Sequence, residues 1–273
     1  EGVLASGGKV RMMSVDGTER LAVRASGRGE LDVRTRGGTQ LVSSEVSPYW
    51  HVDDINGDGV QDLLLSKGKR LTVYPITADG VGSRYTVELP INVNPRRREG
   101  TRKKGETRKD VVSVWLRDFD ADGRTDFAAQ LWVTEGSWMG AEGEVVYAKG
   151  TGQGFGSLQR MRTENAVLLV RTLDLDGDGD TEIATAEVDF GVGNLTRAML
   201  TQKIRVDINY REMRDGRYQA TKELHSVVVP VGNDRDPPVV MEHDLTGDGI
   251  PDLVTSQDSE WVELFAGSGK GFA

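Results

Sequence analysis

Apolar positions in this chain come in short runs. Leu63, Leu64 and Leu65 form one, 111–116 and 166–170 form others, and Leu253-Val254 is a fourth. Runs of this length, rich in β-branched residues, suit strands and are too short for helices. Over 203–210 and 218–229 polar and apolar residues alternate instead, as in outer strands with one face in water. Many short strands predict an all-β chain.

Between the runs lie acidic loops with one spelling. Asp118, Asp120, Asp122 and Asp126 occupy positions 1, 3, 5 and 9 of a nine-residue segment, with Gly123 at position 6. The pattern recurs as Asp54, Asn56, Asp58, Gly59 and Asp62, as Asp174, Asp176, Asp178, Gly179 and Glu182, and as Asp244, Thr246, Asp248, Gly249 and Asp252. First positions are 64, 56 and 70 residues apart, which signals a repeat architecture. Oxygen ligands at positions 1, 3, 5 and 9, with the backbone carbonyl at position 7 (Val60, Arg124, Asp180 and Ile250), suit calcium, and up to four ions are expected. An EF-hand is excluded because no helical periodicity flanks the loops. Position 12, where a bidentate Glu is needed, holds Leu65, Ala129, Thr185 and Thr255. Each loop is expected to be the turn of a β-hairpin. The loop at Asp118, with four carboxylates, is the strongest site, and Asn56 and Thr246 weaken theirs.

A third strand then leads into a glycine-rich turn with an aromatic, as in 146–156 (VYAKGTGQGFG) and 264–272 (LFAGSGKGF). With these flanks the chain resembles the FG-GAP or VCBS repeat family, calcium-binding β-propellers of the integrin α type, over nearly its whole length. The resemblance implies a propeller of four-stranded blades, at 1–44, 45–93, 109–163, 164–232 and 236–273. In the first blade Asp16, Gly17 and Arg20 align with a loop that has lost its ligands. The strand at 2–6 is expected to complete the fifth blade and close the ring.

Net charge is −9, from 34 basic and 43 acidic residues. The loops hold 14 ligating carboxylates, so four calcium ions would bring the chain to −1 and the acidity is mostly site chemistry. Cysteine is absent, which is neutral about compartment. Calcium modules of this kind work at roughly 10⁻⁴–10⁻³ M, so an exported, cell-surface or periplasmic location is expected. No apolar run is long enough to span a membrane, and the opening at Glu1 reads as a mature or trimmed segment.

Against this background the segment 94–110 stands out. From Arg96 to Lys109 it carries eight basic and two acidic residues, including Arg96, Arg97, Arg98, Arg102, Lys103 and Lys104, and reads as a mobile inter-blade loop. It could hold an anionic partner. Trp132, Trp138 and Met139 flank a glycine-rich turn expected on the same face, giving a candidate surface for a protein or surface glycan. No specific nucleic-acid recognition is expected. The turn at 190–196, with a glycosylation sequon at Asn194, is expected to open on that face too.

Catalytic signals are poor. No nucleophile elbow, phosphate loop or cysteine exists, and His51, His225 and His243 have no evident acid partner. Glu135, Glu142 and Glu144 are the candidate acid/base set for glycan cleavage. The expectation is a non-catalytic, monomeric adhesion or assembly module. The alternative is a carbohydrate-binding or polysaccharide-cleaving propeller.

Overall fold

The computed structural model describes residues 2–6, 9–13, 17–24, 27–35, 38–46, 49–77, 80–93, 107–135, 141–163, 165–174, 176–220, 225–230, 239–258, 261–268 and 271–272. Strands dominate it. β1 (Gly2–Ser6), β2 (Lys9–Met13) and β3 (Glu19–Arg24) form an antiparallel sheet, and β4 (Gly27–Thr35) and β5 (Gly38–Val46) a separate hairpin. The next sheet has β6 (Tyr49–Asp53), β7 (Asp62–Lys67), β8 (Arg70–Tyr74) and, beyond the small hairpin β9 (Ile76–Thr77) and β10 (Gly80–Val81), β11 (Tyr85–Glu88). A third is built in chain order from β12 (Thr107–Arg117), β13 (Asp126–Glu135), β14 (Ala141–Ala148) and β15 (Gln159–Arg162).

The fourth sheet starts with β16 (Ala166–Leu173) and β17 (Glu182–Val188), passes through the helix α1 (Val192–Thr201), and continues with β18 (Lys203–Arg214), β19 (Arg217–Ala220) and β20 (His225–Pro230). The twelve-residue β18 pairs through its last residues with β19 and through its first with β20. The last sheet has β21 (Val239–His243), β22 (Asp252–Asp258) and β23 (Trp261–Phe265), followed by the small hairpin β24 (Gly267–Ser268) and β25 (Gly271–Phe272). No helix among the described residues is long and apolar enough to cross a membrane.

The central sheets are buried on both faces, which explains their unbroken apolar runs. Leu64 faces a core shared with Leu116, Phe127, Ala129 and Val146 of the next sheet, whereas Leu63 and Leu65 on the opposite face pack against Leu21 of β3. β13 and β14 do the same. Phe127, Ala129 and Val146 look toward the preceding sheet, and Ala128, Val145 and Tyr147 look toward Val167, Ile183 and Tyr218 of the following one. From the sheet of β3 to that of β16–β19, successive sheets therefore stack face to face.

Three expectations need correction. Among the described residues the strand at 2–6 does not join the last sheet: Gly2 to Ser6 pairs with Met13 to Lys9, a contact local in the chain that needs no long-range closure. The turn expected at 190–196 is mostly helix, with Asn194 inside α1; none of its residues is buried, and Val192, Met199 and Leu200 are exposed. The basic segment also ends earlier than its composition indicates, since β12 begins at Thr107 and Lys109 reaches into the sheet.

Candidate metal centre

Each acidic loop joins two paired strands, as expected of a hairpin turn: β6–β7, β12–β13, β16–β17 and β21–β22. The first-position carboxylate organises the turn. Asp54 accepts the N–H groups of Gly57, Asp58 and Gly59, and Asp244 accepts those of Gly247, Asp248 and Gly249, at 2.6–3.2 Å. Asp118 accepts those of Asp122 and Gly123, and Asp174 those of Gly177 and Gly179. Position 5 then accepts the N–H of position 7 in all four loops. These bonds need a left-handed residue at position 6, where Gly59, Gly123, Gly179 and Gly249 have φ between 80° and 96°.

The carboxylates converge most closely in two loops. Oxygens of Asp118, Asp120 and Asp122 lie within 4.8 Å of one another, and so do those of Asp174, Asp176 and Glu182. Both clusters could hold a metal ion. Their all-oxygen donor sets suit a hard cation. In the second loop, Oδ1 of Asp120 is buried without a hydrogen-bond partner, on a side chain only 6% exposed.

The ninth position divides the loops. Asp126, fully buried, lies outside the cluster of its own loop: it accepts the N–H of Phe119 at 3.1 Å, the Tyr147 hydroxyl at 3.0 Å and the N–H of Gly150 at 2.5 Å. Asp252 likewise accepts N–H groups of Leu245, Thr246 and Gly267, and Asp62 accepts that of Ile76 at 2.9 Å. Ile76, Gly150 and Gly267 each open a small turn that pairs five residues on, with Val81, Phe155 and Phe272. The ninth carboxylate thus staples the hairpin loop to the glycine-rich turn of the same repeat. β18 runs on past this point without such a turn, and there the ninth residue is the longer Glu182, which joins the cluster. A Cβ on Gly150 would meet the Thr125 carbonyl oxygen at 2.3 Å, and one on Gly267 the Pro251 carbonyl oxygen at 2.2 Å, so the staple requires close backbone approach.

Burial pushes the carboxyls of Asp62 and Asp126 up to about 6, and that of Asp53 also to about 6. Hydrogen bonds from the N–H of Gly267 and its neighbours hold Asp252 below the ordinary range. Asp176 and Asp180 are raised by burial first and then by neighbouring carboxylates, which for Asp180 include Asp118 and Asp120 of the preceding loop.

The loops adjoin in series at one end of the stack. A Cβ on Gly57 would lie 3.6 Å from the Gly123 carbonyl oxygen, one on Gly179 3.9 Å from Cβ of Ala121, and one on Gly177 3.7 Å from Cγ1 of Ile250. Thr181 donates its N–H to the Phe119 carbonyl at 2.6 Å, and Tyr218 donates its hydroxyl to the Thr181 carbonyl. A row of negative charge results.

Lys149 was not legible as a site residue. Its ammonium lies 2.5 Å from Asp120 Oδ2 and 2.9 Å from Asp122 Oδ2, and these hydrogen bonds raise its pKa. Only the register of β14 on β13 brings it there; in sequence it stands 27 residues beyond Asp122.

Of the candidate partner surface, Arg96, Arg97, Arg98, Arg102, Lys103, Lys104, Trp138 and Met139 lie outside the described residues. Trp132 sits on β13, 42% exposed, and donates its indole N–H to the Val167 carbonyl of the next sheet at 3.0 Å. Glu144 is fully buried among Lys109 at 2.7 Å, Arg160 at 3.0 Å and Arg162 at 3.7 Å. Burial alone would raise its pKa, but the hydrogen bonds from Lys109 and Arg160 outweigh it and leave the carboxyl lowered. Such a group stays ionised and has no proton to give, so it does not fit a general acid. His51 sits in the middle of β6, opposite Leu64, with its pKa pushed down to about 4 by burial.

No protein-family model matches the sequence, and no curated protein matches it significantly. Among solved structures, the chain is similar to part of a Photorhabdus luminescens Tc holotoxin pore, at 14% identity and a TM-score of 0.42, over 96% of this chain and 13% of that one. It is also similar to the exotype rhamnogalacturonan lyase YesX, at 15% identity and a TM-score of 0.38, over 96% of this chain and 47% of that one. This chain therefore spans less than half the length of either.

Proposed function

We propose that this protein is a calcium-stabilised, non-catalytic binding module of propeller type, serving adhesion or assembly in an exported setting. The observation that carries the proposal is the row of four like-built acidic turns, two with carboxylate oxygens converged within 4.8 Å. Clustered carboxylates repel one another, and a bound cation that favours the folded state over the unfolded one stabilises it by linkage. Asp118, Asp120 and Asp122 would hold one ion and Asp174, Asp176 and Glu182 another; Asp54, Asn56 and Asp58 and Asp244, Thr246 and Asp248 supply the same turn with fewer charges. The face-to-face stacking of both-sides-buried sheets supports blades, and the partner would be a protein or surface glycan.

A second proposal, an acidic-glycan binder, is favoured by a cleft of about 470 Å³ beside the second loop, lined by Arg124, Tyr147, Lys149, Gln159 and Arg217. The Tyr147 hydroxyl is spent on Asp126 and its pKa is raised, first by burial, so it suits no proton transfer and the cleft is a binding feature only.

The test is thermal unfolding with excess EDTA and with about 1 mM calcium, alongside elemental analysis. A calcium-dependent rise in Tm with bound metal is expected. An unchanged Tm with no bound metal would reduce the loops to turn sequences and overturn the proposal.

A further inference from the structure

We infer that Lys149 is a built-in counter-cation that competes with metal for the second loop, so that the loop the sequence marks as the strongest site depends least on an ion. The inference rests on the metal reading above and moves that one loop from first to last among the four.

An ion held by Asp118, Asp120 and Asp122 would share two ligands with the Lys149 ammonium, which bonds Asp120 Oδ2 and Asp122 Oδ2. Ammonium and metal therefore contend for the same negative charge. Strand register shows how particular this is. Ala148 pairs with Phe127, Tyr74 with Leu63, Arg211 with Ile183 and Phe265 with Leu253, so the next residue in each repeat is Lys149, Pro75, Glu212 and Ala266. A cation stands at this position only beside the second loop. In the third it is a carboxylate, Glu212, paired with Arg214. Among the described residues, no Lys, Arg or His side chain forms an ion pair with Asp54, Asp58, Asp174, Asp176, Asp178, Asp244 or Asp248.

Two further features make this a competition and not a block. Asp120 keeps a buried, unpartnered Oδ1, an oxygen still available to a metal. The Lys149 side chain is 41% exposed and lines the cleft between the Gly150–Gln159 turn and Gly216-Arg217, so it has room to swing off the carboxylates.

The test is calorimetric calcium titration of the full chain, wild type against Lys149→Met and Lys149→Arg. Lys149→Met should gain a site that binds ~10-fold more tightly than the weakest site of the wild type. Adding Asp118→Asn should remove that gain, and Lys149→Arg should titrate like the wild type. Identical isotherms for wild type and Lys149→Met, with calcium bound in both, would overturn the competition and leave the metal reading intact. No binding in either would sink the metal reading itself. A measurement on the wild type alone guards against a variant that does not fold. Acylation of Lys149 by an amine-directed reagent, followed by mass spectrometry, should increase when calcium is added; equal or lower labelling counts against displacement.

Discussion

Replacing Asp126 with Ala separates a staple from a ligand. The substitution removes an acceptor from three donors, the N–H of Phe119, the N–H of Gly150 and the Tyr147 hydroxyl, all in a fully buried setting. Each donor left without a partner costs about 1–3 kcal/mol. Against this, at pH 7 the variant no longer buries a charge. Burial moves the Asp126 carboxyl from 3.8 to about 6, and each pKa unit is worth about 1.4 kcal/mol. With the three donors at the middle of that range, about 6 kcal/mol, and about 3 kcal/mol offset by the lost buried charge, the net loss at pH 7 should be about 3 kcal/mol, a large part of a stability of about 5–15 kcal/mol.

The sign of the pH dependence follows from the same shift. The folded-state pKa lies above the unfolded one, so the folded protein binds the proton more tightly. The resulting stabilisation is fully present below pH 3.8 and is lost as pH rises through about 6. Between pH 7 and pH 5, calcium-free wild type should gain about 1 kcal/mol from Asp126; Asp62 acts in the same direction, and His51, which burial holds down to about 4, acts in the opposite one. Asp126→Ala should lose the first of these contributions. Urea unfolding in EDTA and in calcium, at both pH values, reads all of this. If Asp126→Ala is neutral in EDTA and costly only in calcium, the residue is a metal ligand and the backbone staple is wrong.

Two other predictions concern the backbone. Ala121 has φ 53° at the fourth position of its loop, where Gly57, Gly177 and Gly247 stand in the others at 76–78°. Ala121→Gly should stabilise the protein by about 0.5–1 kcal/mol in denaturant unfolding, and a loss would mean the turn carries no such strain. A Cβ on Gly143 would lie 2.1 Å from Cγ2 of Val167 across the sheet interface. Gly143→Ala should cost about 1–3 kcal/mol by overpacking, and an unchanged urea midpoint would show the two sheets to be looser than described.

Much of the chain is legible because its signals are local. Asp-x-Asp-x-Asp-Gly spelling builds its own turn: the first carboxylate bonds N–H groups three to five residues on, and a glycine takes the left-handed position. Runs such as Leu63-Leu64-Leu65 mark strands buried on both faces, and the glycine-rich turn after the third strand repeats its pairing at Ile76, Gly150 and Gly267.

What the sequence alone determined is therefore the all-β class and the acidic hairpin turns. Tertiary structure decided where the ninth carboxylate goes, because a donor across the sheet at Gly150 or Gly267 competes for it, and no spacing within the loop reports that donor. It also decided that β1 folds back on β2, that an exposed helix interrupts the fourth sheet, and that Lys149 stands over the second acidic loop. Each depends on strand register or packing, which no spacing within a single loop reports.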